Sequence, residues 1–194
     1  MSREVHVRCC EQLGGKFPGL TRLVIGFEHH EDAQKVMNTL PKRMAKYSLN
    51  IHPEKTKLVE FCPDGKAKAP TIDFLGFTHY WTKSKRGSAL IKRRTTSKGL
   101  RKGIKKIEDS CRYNRHEPLK KQFGQLRSKL LGLYQYYGIR SNFKALQVFY
   151  QSATKRWYYW LNKRSQTNSY TWEGYKTLLT HFALPKPKIV HLNV

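Results

Sequence analysis

The spacing of apolar residues changes after Arg94, and this change constrains the fold more than any single motif. Leu100, Ile104, Ile107 and Cys111 recur in steps of four, three and four. Leu119, Phe123, Leu126, Leu130, Leu133 and Tyr137 follow the same rule, as do Leu146, Tyr150, Ala153, Trp157 and Trp160. A period near 3.6 residues lays each set along one stripe of a helix. The stretches NRHEP and YYGIRSN interrupt the stripes, so the pattern predicts a three-helix bundle over 95–165. Tyr137, Trp157 and Trp160 belong to the stripes and are expected in the core. Tyr136, Tyr158 and Tyr159 fall off them, which leaves each ring either to stack on bases or sugars or to pack partly against the tail or the αβ part. The remainder, 166–194, reads as one more short helix that LPKPK ends as an extended segment.

Before Arg94 the period is two. Residues 1–22 form a weakly ordered segment, since LGGKFPG is loop-like and little alternation surrounds it. Leu23, Val24 and Ile25 make a short strand. Glu31 and Asp32 then mark the first turn of a helix over 31–48, in which Pro41 is expected to cause a kink or a restart. LVEF at 58–61 is a second strand. TIDFLGFTHYW reads as a third, apolar on both faces and therefore covered on both sides, with Gly76 where another backbone can approach closely. TKSKRG turns the chain and SALIKRR returns as a hairpin partner. The fold class is α+β: a partial αβ region over 23–94, with more apolar face than its own chain covers, followed by the all-α bundle.

Charge narrows the partners. The chain of 194 residues carries 38 Lys and Arg against 13 Asp and Glu, a net +25. Between positions 83 and 165 there are 23 Lys and Arg against three acids (Glu108, Asp109 and Glu117), so +20 of that charge lies in one stretch. Helix surfaces ordinarily interleave acids for i,i+4 pairing. Here Lys98, Arg101, Lys102, Lys105 and Lys106 flank the first stripe, Lys120, Lys121, Arg127 and Lys129 the second, and Lys155, Arg156, Lys163 and Arg164 the third, almost without partners. Such a surface attracts polyanions, and neutralising each phosphate releases condensed cations. Nucleic acid is the expected partner.

Other chemistries find little support. The cysteines, Cys9, Cys10, Cys62 and Cys111, make no CxxC pair, so structural zinc lacks its ligand spacing and a reduced, cytoplasmic chain is expected. No apolar run approaches the ~18–20 residues of a membrane span, and the first residues lack the apolar core of a signal peptide. His29 and His30 are adjacent, a spacing that does not converge on a metal. There is no nucleophile elbow and no P-loop.

Several short segments become informative in combination. EKTK, FLGF, LLGLYQYYG and TWEGYKTLLTHFALPKPKIVH occur in one order behind VIGF. From about Leu23 to its end the chain resembles the C-terminal part of group II intron reverse transcriptase/maturases. The resemblance implies that 23–94 is the end of a polymerase palm. Lys55 and Thr56 would lie near the nucleotide site, and Phe74, Leu75, Gly76 and Phe77 would correspond to the primer grip. It implies that 95–165 is the thumb, the maturase-specific domain X, which binds structured intron RNA. Its cations named above, together with Tyr136, are the RNA-binding candidates.

Aligned without gaps, LTRLVIGF puts Thr21 and Arg22 where the family carries its catalytic aspartate pair. The intact family uses Mg2+, which takes oxygen ligands, and a guanidinium repels it. No catalytic residue, metal or cofactor is therefore assigned to this chain. The expectation is a truncated, RNA-binding maturase fragment that assists RNA folding or splicing without polymerising alone. Two alternatives stand beside it: the thumb-side half of a split RNA-directed DNA polymerase, completed by a complementing reverse-transcriptase fragment, or a non-functional remnant.

Overall fold

Alternating strands and tight turns shape the first part of the chain, and amphipathic helices the second. The structure, a computed structural model, describes residues 6–10, 13–14, 23–52, 56–63, 70–165 and 169–192. The fold is α+β, divided into two units, Met1–Arg93 and Arg94–Val194.

In the first unit β1 (His6–Cys10) is the middle strand of an antiparallel sheet, between β3 (Leu23–Phe27) and β5 (Thr56–Glu60). Val7 stands opposite Gly26 on one side and Val59 on the other. This corrects the reading of 1–22 as uniformly weak in structure. The strand is defined by ladder bonds to two distant neighbours, which local propensity does not register. β2 (Leu13–Gly14) pairs with β4 (Asn50–Ile51) in a separate two-stranded ladder.

α1 (His30–Ala45) has Glu31 and Asp32 in its first turn and Lys42 and Arg43 in its last, the charge order that its dipole favours. The helix runs through Pro41 without restarting. A proline there forfeits one amide bond near the C-terminal end, which the remaining turns tolerate.

The segment 72–83 is not one strand. β6 (Ile72–Phe74) and β7 (Phe77–Lys83) pair antiparallel around Leu75 and Gly76, whose φ values are 47° and 76°. Two positive φ values between paired strands make the two-residue hairpin turn that suits sheet twist. Gly76 therefore serves the turn rather than the approach of a second backbone. β8 (Ala89–Thr95) completes the order β6-β7-β8. A small core joins Phe61 and Ile72 with Val24, Val59, Phe74 and Trp81. The Trp81 indole donates to the Phe61 carbonyl at 3.2 Å. Leu90 and Ile91 remain exposed.

The second unit is the predicted bundle with an addition. α2 (Ser97–Tyr113), α3 (Leu119–Tyr137) and α4 (Phe143–Leu161) pack around Ile107, Cys111, Leu126, Leu130, Leu146, Phe149, Ala153 and Trp157. α5 (Trp172–His181) closes the same core with Tyr175, and the tail adds Leu184. The deepest face of α3 is Gln122, Leu126, Leu130 and Tyr134, so the stripe is rotated by part of a turn from Phe123, Leu133 and Tyr137, which are only partly buried. Trp157 is fully buried as expected, whereas Trp160 packs at the margin.

Buried polar groups lock this packing. The Gln122 amide nitrogen donates to the carbonyls of Arg115 and Glu117, and its oxygen accepts from the Trp157 indole at 3.0 Å. Asn142, also buried, accepts from the Thr95 amide at 2.9 Å and donates to the Thr95 hydroxyl and the Tyr137 carbonyl. These bonds tie the start of α2 to the α3–α4 connection. Neutral bonds of this kind contribute roughly 1 kcal/mol each, and losing one buried partner costs more. The tail lies along the end of α3: Tyr134 donates to the Pro185 carbonyl, and the amides of Val190 and His191 both donate to the Gly138 carbonyl.

Candidate nucleic-acid interface

The stripes that build the core also dictate where the cations go. With Gly103, Ile107 and Cys111 turned inward, Lys98, Arg101, Lys102, Lys105 and Lys106 are left exposed on α2. Thr96 starts that helix by accepting from the Gly99 amide at 3.0 Å. On α3, Lys120, Lys121, Arg127 and Lys129 are exposed, as are Lys155 and Arg156 on α4 and Lys163 just beyond it; Arg164 is half-buried. Two of these cations reach carboxylates among the described residues: Lys121 meets Glu117 at 3.0 Å and Arg156 meets Glu108 at 3.2 Å. The others have no such partner there. Exposed pairs of this type contribute little to stability. The unit thus holds a dense, weakly compensated positive charge on a packed scaffold.

The cations sort into distinct faces. Arg101, Lys105 and Arg112 line a groove of about 400 Å³ between α2 and α4, together with Glu108 and Trp160. The Arg112 guanidinium sits 5.8 Å from the Trp160 ring centroid, within cation–π range. Arg156 joins this face through Glu108. Lys106 and Lys129 stand on opposite walls of a second groove, between α2 and α3. Lys120 and Arg127, two turns apart on α3, line neither groove. Arg112 was not among the residues singled out from the sequence, although its position off the α2 stripe marks it as outward-facing.

The aromatic candidates separate in the same way. Tyr136 is 52% exposed, with its ring edge-on to Tyr137 at 4.8 Å. Tyr159 is exposed beside the Lys163 ammonium, which lies 5.8 Å from its ring centroid. Tyr158 is used internally: its hydroxyl donates to the Tyr170 carbonyl and its ring packs edge-to-face on Trp172 at 5.1 Å. This is the packing against the tail that stood as the alternative to base stacking for an off-stripe ring. Tyr113, 76% exposed at the end of α2, was overlooked.

In the first unit, Phe74 and Phe77 are half-buried flanks of the Leu75–Gly76 turn, and Leu75 projects at its tip, 48% exposed. Thr56 is buried, and its hydroxyl has no hydrogen-bond partner among the described residues. Lys55, Thr21 and Arg22 lie outside the described residues. Asp73 accepts a hydrogen bond from the Thr78 hydroxyl. Among the described residues no group of three or more His, Cys, Asp and Glu converges in a way that could hold a metal ion. The Cys111 thiol is pushed up to about 12, chiefly by burial and further by Glu108, so it is a protonated core group rather than a nucleophile.

Among the described residues no helix is long and apolar enough to cross a membrane. No protein-family model matches the chain, and no curated protein matches it.

Proposed function

We propose that this chain is an RNA-binding protein of the group II intron reverse transcriptase/maturase type, acting in the cytoplasm, whose helical unit grips structured RNA and favours its folded state without polymerising. One observation supports this most directly. Lys98, Arg101, Lys102, Lys105 and Lys106 stand exposed on one helix of a well-packed bundle, and none has a carboxylate partner among the described residues. Mutual repulsion of that kind is stabilised by a polyanion, and phosphates release counterions when they bind.

Filter binding of the full chain to a folded intron-like RNA tests the proposal. A ligand making six or more phosphate contacts is expected to lose about 10³-fold in affinity between 50 and 200 mM salt. Affinity independent of salt, or equal for RNA and an acidic protein, overturns it. In a primer-extension assay with magnesium and nucleotides, the purified chain is expected to add nothing, because Thr21 and Arg22 offer no carboxylate where the resemblance needs two.

A further inference from the structure

The groove between α2 and α3 has a volume of about 790 Å³, within the roughly 300–1,000 Å³ range of ligand clefts. Four of its features are poorly explained by packing. Tyr113, at its edge, is a large ring left 76% exposed. Gly124 lies in the second turn of α3, where glycine costs about 1 kcal/mol relative to alanine, yet a Cβ there would meet nothing within 4 Å. Glycine is therefore not required by a close neighbour, and its effect is to keep the groove open. The Gln125 side-chain oxygen is buried from solvent and has no hydrogen-bond partner among the described residues. Asp109 lines the same groove and forms no ion pair among the described residues.

Lys106 and Lys129 set positive charge on the two walls. The groove thus offers cations at its lips, the Asp109 carboxylate as an acceptor and an aromatic ring at its edge. An acidic peptide side chain suits the lysines but brings no ring to Tyr113 and no donor to Asp109. A base-paired duplex suits them too, but its base edges are occupied and its rings are stacked away from Tyr113. An unpaired nucleotide satisfies the accessible groups: phosphates against the lysines, the ring on Tyr113, and an exocyclic amine donating to Asp109.

We propose that this groove binds a single unpaired nucleotide of RNA whose base carries an exocyclic amino group, and so selects loops or bulges over continuous helix. The assignment rests on the RNA-binding reading above and adds to it a subsite and a base class.

Fluorescence anisotropy with the full chain, using rC12, rU12 and a blunt RNA duplex, tests it. The wild-type chain is expected to bind rC12 more tightly than rU12, because uracil lacks the amine. Base–aromatic stacking is large enough for Tyr113→Ala to lose about tenfold on rC12 while duplex affinity stays within twofold. Tyr113→Phe is expected to keep the rC12 affinity. Gly124→Leu, whose Cβ meets nothing within 4 Å and whose longer side chain takes up groove space, is expected to reproduce the Tyr113→Ala loss. If wild type binds rC12 and rU12 equally, or if neither Tyr113→Ala nor Gly124→Leu changes rC12 binding, the groove assignment falls while the RNA reading stands. If wild type binds none of the three probes, both fall.

Discussion

Gly138 shows how one residue joins the helices to the tail. It ends α3, and its carbonyl accepts from the amides of Val190 at 2.8 Å and His191 at 2.9 Å. A Cβ at this position would overlap the Tyr134 carbonyl oxygen and lie 3.2 Å from the Val190 nitrogen. Both are backbone atoms, which cannot swing aside as a flexible side chain can. Gly138→Ala is therefore expected to destabilise the chain by about 1–3 kcal/mol in urea unfolding followed by circular dichroism. Hydrogen exchange at Val190 and His191 should accelerate. Gly132 provides the contrast. It lies inside α3, and a Cβ there would meet nothing within 4 Å. Gly132→Ala is expected to stabilise by about 0.5–1 kcal/mol, because only the helix-propensity gain remains. Equal effects at the two sites would contradict the close approach of the tail to the end of α3.

At the scale of elements, α5 belongs to the bundle core and is not an appendage. Tyr175 is fully buried, donates to the Thr154 carbonyl at 2.8 Å and meets Trp157 edge-to-face at 6.1 Å. Tyr175→Ala is expected to cost about 3–5 kcal/mol, as for other large aromatic truncations, with α2–α5 still unfolding in one transition. A separate early transition for α5 would show that it docks independently. Tyr175 escaped the sequence reading because a ten-residue helix gives too few apolar repeats to define a stripe. The longer helices were legible for the opposite reason: Leu126, Leu130, Leu146, Ala153 and Trp157 repeat over several turns and all are buried. The rotation of α3 that buries Tyr134 and leaves Tyr137 only partly buried depends on its neighbours, and no single helix encodes that. β1 was hidden because its pairing is entirely non-local. The 72–83 segment was misread because Leu75 adopts a conformation usually given to Asn or Gly, so the turn carried no signal residue at its first position.

For the whole molecule, the same cations set stability and ligand preference in opposition. That charges would be exposed was legible, since exposure is the default for lysine. Which of them share a groove was not, because that follows from how α2 sits against α3 and α4. Lys98, Lys102 and Lys106 lie four residues apart on α2, so each neighbouring pair is a like-charge i,i+4 contact. Such contacts cost about 0.2–0.5 kcal/mol each, and opposite-charge pairs return similar amounts. With Lys105 at i+3 as a third like-charged neighbour, Lys102→Glu removes three repulsions and creates three attractions. It is expected to raise stability by about 1 kcal/mol, a shift of roughly 2–4 °C in the thermal midpoint of a chain this size. The same substitution removes a phosphate contact, so RNA affinity should fall and the slope of log K against log salt should shrink by about one. High salt should narrow the stability gain, because screening already relieves the repulsion in the unsubstituted chain. A variant that becomes more stable with no loss of RNA affinity would place the RNA on another face; one that loses stability would mean that Lys102 is held by contacts other than its helical neighbours.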